Sequence, residues 1–215
     1  NMHSVIQWPR IWDNEANVGI DGQTLAGAGP ENTIISCRYC IFSIFARGHV
    51  QLRNLTLNLL PTSSGIGILA GDIDSLVMCN VDVEVGSGKD FLWFEEWYPP
   101  KTMQLYLYDC SIAGSGTSLT YGIGNLTVDT HSYCDVRIKN TTMTGWGIAF
   151  EYANGGSLGL VTADFDCAGF ANNGVNVYAG SCYDAGHVIN CDYTEQCPTT
   201  RSAPTHTSAD CGCGE

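Results

Sequence analysis

The side chains able to do chemistry are few, and their spacing decides what they could do. Arg137 and Lys139 flank Ile138, while Tyr106 and Tyr108 flank Leu107 earlier in the chain. Two cations beside two aromatic rings could stack on sugar rings or dock another subunit. Otherwise they form a solvated outer face. Asp72 and Asp74, in Gly71-Asp72-Ile73-Asp74, suit turn chemistry or a share in a calcium site. Glu95-Glu96-Trp97-Tyr98-Pro99-Pro100 is an acidic and aromatic loop that could grip a neutral sugar or fold as a lid over apolar residues. Glu151 stands as a single acid. The five histidines, His3, His49, His131, His187 and His206, share no metal-ligand spacing and read as incidental. No Gly-x-Ser-x-Gly elbow, phosphate loop or dinucleotide fingerprint occurs, so no cofactor and no metal are expected.

The elements that must position these groups follow from a repeated phrase. It runs Leu52-Arg53-Asn54-Leu55-Thr56-Leu57, Met78-Cys79-Asn80-Val81-Asp82-Val83, Leu107-Tyr108-Asp109-Cys110-Ser111-Ile112, Ile138-Lys139-Asn140-Thr141-Thr142-Met143 and Thr162-Ala163-Asp164-Phe165-Asp166-Cys167. On each side of the Asn or Asp, apolar residues alternate with period two, as in strands with one buried face. Across it the phase slips by one. Asn and Asp suit such a corner because they tolerate the left-handed backbone. A third apolar strand follows each phrase, usually opened by glycine: Gly65-Ile66-Gly67-Ile68, Asp90-Phe91-Leu92-Trp93-Phe94, Gly122-Ile123, Gly147-Ile148-Ala149-Phe150 and Gly174-Val175-Asn176-Val177. Three strands make one coil of a solenoid, and the coils stack. Weaker copies surround Asn32 and Asn190. Helical periodicity is absent.

These phrases resemble the right-handed parallel β-helix proteins of the pectin lyase-like group. The resemblance covers about residues 18 to 193, and Leu25-Ala26-Gly27-Ala28-Gly29-Pro30-Glu31-Asn32-Thr33-Ile34-Ile35 looks like an opening coil of such proteins. It implies an all-β, single-stranded parallel β-helix with three strands per coil; with the end of the strand pattern after Tyr193 and the cysteines crowding the C-terminal end, it divides the chain into a β-helix over residues 1 to 195 and a Cys-rich polar tail or connector over 196 to 215. It also implies an asparagine ladder, here Asn32, Asn54, Asn80, Asp109, Asn140, Asp164 and Asn190, with side chains inside the stack. The resemblance says little of activity, because the fold hosts lyases, hydrolases, esterases, spikes and adhesins.

In pectin lyase-like enzymes the reacting groups project from the glycine-opened strand. With Ile66 and Ile68, Phe91 and Trp93, Ile148 and Phe150, and Val175 and Val177 inward, the outward set is Gly67, Leu92, Phe94, Ala149, Glu151, Asn176 and Tyr178. Among these only Glu151 ionises near neutral pH. A hydrolase needs paired carboxylates, and a lyase needs a basic residue beside a neutralised uronate. That face offers neither. Arg137-Ile138-Lys139 is similar to the substrate-binding tripeptide of polygalacturonases, yet it sits on the strand before the corner and its companion motifs are missing.

Composition narrows the setting. The formal charge of −13, from 22 acidic and 9 basic residues, opposes nucleic acid and anionic membranes. No apolar run is long enough to span a bilayer. Eleven cysteines point to an oxidising compartment, with disulfides expected among Cys37, Cys40, Cys79, Cys110, Cys134, Cys167, Cys182, Cys191, Cys197, Cys211 and Cys213, and at least one left over. Sequons stand at Asn54, Asn125 and Asn140. Asn125 is the best glycan acceptor, since the other two belong to the ladder. The first residues show no convincing capping helix; two early tryptophans, the rest of a longer chain, or another subunit would cover the first coil.

The expected function is an extracellular, non-catalytic structural or adhesive module, part of a fibre, surface appendage or spike. Its partners would be other subunits or extracellular glycans. The alternatives are a pectin lyase-like carbohydrate-active enzyme, using Arg137, Lys139, Asp72, Asp74, Glu95, Glu96 or Glu151, and a lectin-like module using Tyr106, Tyr108, Trp97 and Tyr98.

Overall fold

A computed structural model describes residues 5–7, 11–14, 18–37, 42–60, 65–95, 102–116, 120–124, 133–152, 160–166, 168–179 and 188–191. Within them every strand pairing is parallel, and each strand between the ends pairs with the strands one coil before and one coil after. The chain is a parallel β-helix with three walls. The glycine-opened wall contains Val18–Asp21, the starts of Phe42–Leu59 and Ile66–Val85, then Asp90–Glu95, Tyr121–Gly124, Ile148–Tyr152 and Val175–Ala179. The second wall carries Val5–Gln7, Thr24–Ala26, the middles of the two long strands, Thr102–Tyr108, Tyr133–Lys139, Leu160–Asp166 and Val188–Cys191. The third contains Ile11–Asn14, Ile34–Cys37, the ends of the long strands, Ser111–Ala113, Thr142–Thr144 and Gly169–Ala171. Ile11–Asn14 pairs with Ile34–Cys37 and so continues the coil; Trp8 and the side chain of Trp12 lie outside the described residues.

The core is the line of inward side chains from all three walls. Leu52, Met78, Leu107 and Ile138 stack along the second wall, Leu57, Val83, Ile112 and Met143 along the third, and Ile68, Leu92, Ile123 and Phe150 along the first, all buried. Each full burial of such a side chain contributes about 1.5–3 kcal/mol. Towards the C-terminal coils the three walls meet through rings: Phe165 lies edge-on to Phe150 at 5.2 Å and to Phe170 at 5.6 Å.

Positive backbone angles mark the corners. Asn54, Asn80, Asp109 and Asn140 have φ of 53°, 52°, 53° and 46°, between the second and third walls. Between the first and second, Gly22, Gly48 and Asp72 do the same at 61°, 64° and 54°. Asn80 Nδ2 donates to Asn54 Oδ1 at 2.9 Å, and Asn140 Nδ2 donates to Asp109 Oδ1 at 3.1 Å. The ladder thus exists, but it runs along the outside: Asn80, Asp109 and Asn140 are exposed. A residue at positive φ turns its Cβ out of the coil, so the carboxamides meet one another at the surface.

Three expected rungs fall elsewhere. Asn32 sits in a turn closed by the Asn32 and Thr33 N–H groups on Gly29 O, and its amide donates to Glu31. Asp164 and Asn190 lie inside strands, paired in one row with Arg137. Lys139 pairs with Asp166, so that corner comes after Asp166. Ala163, the partner of inward Val136, is too small to reveal the buried phase. On the glycine-opened wall, Ile68 pairs with Leu92 and Leu69 with Trp93. Leu92 and Phe94 are consequently core residues, and Trp93 is half-buried on the row that leads to Glu151. An unbroken apolar run has no alternation to fix its register: Phe91 is buried as expected, but Leu92 and Phe94 join the core where Trp93 was expected to.

The left-handed corner gives a direct test. Asn80→Val should lose about 1–2 kcal/mol from the backbone alone, whereas Asn80→Gly should stay close to the parent. Equilibrium urea unfolding of both variants measures the difference, and equal losses would contradict it.

Candidate functional site

Strand register brings the expected cation and aromatic groups together. Tyr106 pairs with Arg137 and Tyr108 with Lys139 on the outer face of the second wall, as their spacing predicts. Val77 and Cys79 lie one coil earlier in the same two rows. The Arg137 guanidinium carbon stands 4.9 Å from the Tyr106 ring centroid, and the two tyrosine rings are 6.0 Å apart and tilted.

The residue that organises this patch is Asp135, which the sequence reading passed over. Tyr106 O–H donates to Asp135 Oδ2 at 2.8 Å, and the same oxygen accepts Arg137 Nε at 3.0 Å and Nη2 at 2.9 Å. Its signal was available: Asp135 and Arg137 are two apart on a strand, so both must face outward. Burial pushes the Tyr106 hydroxyl pKa up, and the hydrogen bond to Asp135 pushes it further. Burial works against the Arg137 charge, but the bond to Asp135 and its charge outweigh this and leave the guanidinium pKa raised.

Tyr108 departs from the expected exposed ring. It is 1% exposed and packs with Cys79 in a small apolar cluster on the outside of the wall, against Val77 and Tyr106. It cannot offer a face to a sugar. Trp97 and Tyr98 lie outside the described residues, as does Glu96.

A second grouping lies on the glycine-opened wall. Asp90 Oδ1 accepts the Tyr121 N–H at 2.7 Å. Burial raises its pKa, against the lowering effects of the Tyr121 N–H bond, the nearby Trp93 indole and the Lys89 charge. Glu151, half-buried, is raised by burial and then by the charge of Asp90. A Cβ on Gly124 would meet Tyr121 Cβ at 2.9 Å, so glycine there leaves room for the Tyr121 side chain. Glu151 is thus not the single acid it looked. Asp90 was missed because it opens its strand.

The remaining acids are dispersed. Asp72 occupies its corner 3.8 Å from Arg47, and Asp74 Oδ2 lies 3.8 Å from His49 Nε2. For Glu95 only the backbone is described. Among the described residues no group of three or more His, Cys, Asp or Glu converges in a metal-like cluster.

The cysteines divide by wall face. Cys37, Cys110 and Cys134 are buried thiols in the core, which corrects the disulfides expected of them. They replace aliphatic side chains as small apolar fillers. Cys110 S–H donates to Tyr108 O at 3.1 Å, and burial pushes its pKa up to about 12, so it is an unreactive thiol. Cys79, on the outer face, is disulfide-bonded. Cys40, Cys167, Cys182, Cys197, Cys211 and Cys213 lie outside the described residues, as do Asn125 and the side chain of Cys191. Asn54 and Asn140 stand on the outer ladder, so burial inside the stack does not withhold them from a glycan.

No family model matches the chain, and no curated protein or solved structure is significantly similar to it.

Tyr106 holds its proton more tightly folded than unfolded. The stability it contributes is therefore complete below the ordinary tyrosine pKa of about 10 and is lost as pH rises above it. Thermal melts from pH 8 to 11 should show an alkaline fall that Tyr106→Phe reduces. An identical fall in the variant would contradict the assignment.

Proposed function

We propose that the chain is an extracellular structural or adhesive β-helix module of the pectin lyase-like kind, a segment of a fibre, surface appendage or spike that contacts other subunits or extracellular glycans. The observation that carries this reading is the closure of the second-wall patch. Arg137, which a uronate-binding enzyme would direct at substrate, spends two N–H groups on Asp135, and Tyr106 spends its hydroxyl there too. The groups best suited to hold a ligand are instead engaged with Asp135, Arg137 along its own strand and Tyr106 across to the next coil. The cysteine count and the surface sequons support secretion and glycosylation.

A second reading, a carbohydrate-active enzyme, is favoured by Asp90 and Glu151. They are two carboxyls with raised pKa on the wall where such enzymes act, beside a half-buried tryptophan. One would stay protonated as an acid while the other acts as base or nucleophile.

Negative-stain microscopy of the native material should show rods or filaments. The purified chain should bind a glycan array or itself, yet release no reducing ends or unsaturated products from neutral and uronic polysaccharides, with or without calcium. Product release that Glu151→Gln abolishes would replace the structural reading with the enzymatic one.

A further inference from the structure

Where the first wall turns into the second, the register between two coils slips. Gly48 pairs with Ile73, but His49 pairs with Ser75, leaving Asp74 as an extra residue in a β-bulge. Bulges re-aim side chains and recur beside active sites. Here the slip places two consecutive residues around one imidazole. Ser75 Oγ is 3.0 Å from His49 Nδ1, and Asp74 Oδ2 is 3.8 Å from His49 Nε2.

We propose that Ser75, His49 and Asp74 form a nucleophile, base and orienting acid that cleave small esters. With its proton on Nε2, His49 faces Asp74 with that nitrogen and leaves Nδ1 to accept the Ser75 hydroxyl proton. The 3.0 Å separation is within reach for proton transfer. Ser75 is 8% exposed, and the His49 side chain is 73% exposed, so the nucleophile is held in the wall while its base faces solvent. On the side of Ser75 away from His49, Gln104 is the next residue in the row. Neighbouring strands lie about 4.8 Å apart, so Gln104 is the adjacent residue whose carboxamide would serve as a donor to the carbonyl that Ser75 attacks.

The step balances without a further reactant. Ser75 Oγ bonds to the ester carbonyl carbon as its proton passes to His49 Nδ1. The bond to the alcohol oxygen breaks, and His49 returns the proton to that alkoxide. Water then attacks the acyl-Ser75 carbonyl and gives His49 a proton; the carboxylic acid departs as that proton returns to Ser75 Oγ. Asp72 and Asp74 near the site, in a chain of charge −13, repel anionic esters, so the substrate class is a short acyl ester of a neutral alcohol, an O-acylated sugar hydroxyl included. This chemistry goes beyond the structural reading and does not depend on it, since microscopy scores one and ester turnover the other.

The test uses the full chain, p-nitrophenyl acetate and a fluorophosphonate probe, with mass spectrometry to locate the adduct. The expected result is an adduct on Ser75 that is lost in Ser75→Ala, with turnover down at least tenfold. His49→Gln, which keeps a partner for the serine, should lower turnover by about a hundredfold. Urea unfolding verifies that both variants are folded. An unlabelled parent, an adduct elsewhere, or turnover unchanged in Ser75→Ala, as scattered surface histidines alone would give, overturns the proposal.

Discussion

Each coil must change direction at the same height as the coil beneath it, and at two of its corners the backbone does so through left-handed residues stacked in register. Asn54, Asn80, Asp109 and Asn140 meet this at one corner, and Gly22, Gly48 and Asp72 at another. An L-residue in that conformation costs about 1–2 kcal/mol, least for Asn, Asp and Gly. The carboxamide rungs recover part of that cost by bonding along the axis. Once the corners are aligned, the inward rows follow from period-two alternation, and so does every outward neighbour.

Much of the fold was legible because corner and alternation are both local signals. The three-walled coil, the pairing of Tyr106 with Arg137 and of Tyr108 with Lys139, and the corner residues from Asn54 to Asn140 need only the repeat phrase. The phase failed where side-chain size hid it. Ala163 gave no apolar mark, so the corner was placed at Asp164, and Phe91-Leu92-Trp93-Phe94 is apolar throughout and reads equally well in two registers. The left-handed φ that Asn and Asp tolerate turns the ladder side chains out of the coil, the consequence that the family resemblance, with its amides inside the stack, hid.

The candidate sites were less legible, because each joins residues one coil or more apart. Tyr106 and Asp135 are 29 positions apart, Asp90 and Tyr121 are 31, and His49 and Ser75 are 26. No motif search finds a pair whose separation depends on the length of the intervening turns. The cysteines show the same dependence. Cys37, Cys110 and Cys134 looked like half-cystines by number alone, but their inward register makes them core fillers, while outward Cys79 is bonded.

A rigid rod and a point of chemistry on its wall are compatible, and the register explains why. Regular coils leave adjacent outward side chains to satisfy one another, as Arg137, Tyr106 and Asp135 do, and groups so engaged have fewer bonds left for a ligand. An irregular coil breaks that exchange. At Gly48 and His49 the extra residue sets an acid and a hydroxyl against opposite nitrogens of one ring, a geometry that unbroken pairing would not produce, because consecutive strand residues face opposite sides. Placement on strands also holds the three groups more firmly than a loop would, since their backbones are fixed by the coils above and below. On a solenoid of this kind, departures from register are therefore where function is to be sought, and the bulge at Asp74 is the departure that gathers a nucleophile with its base.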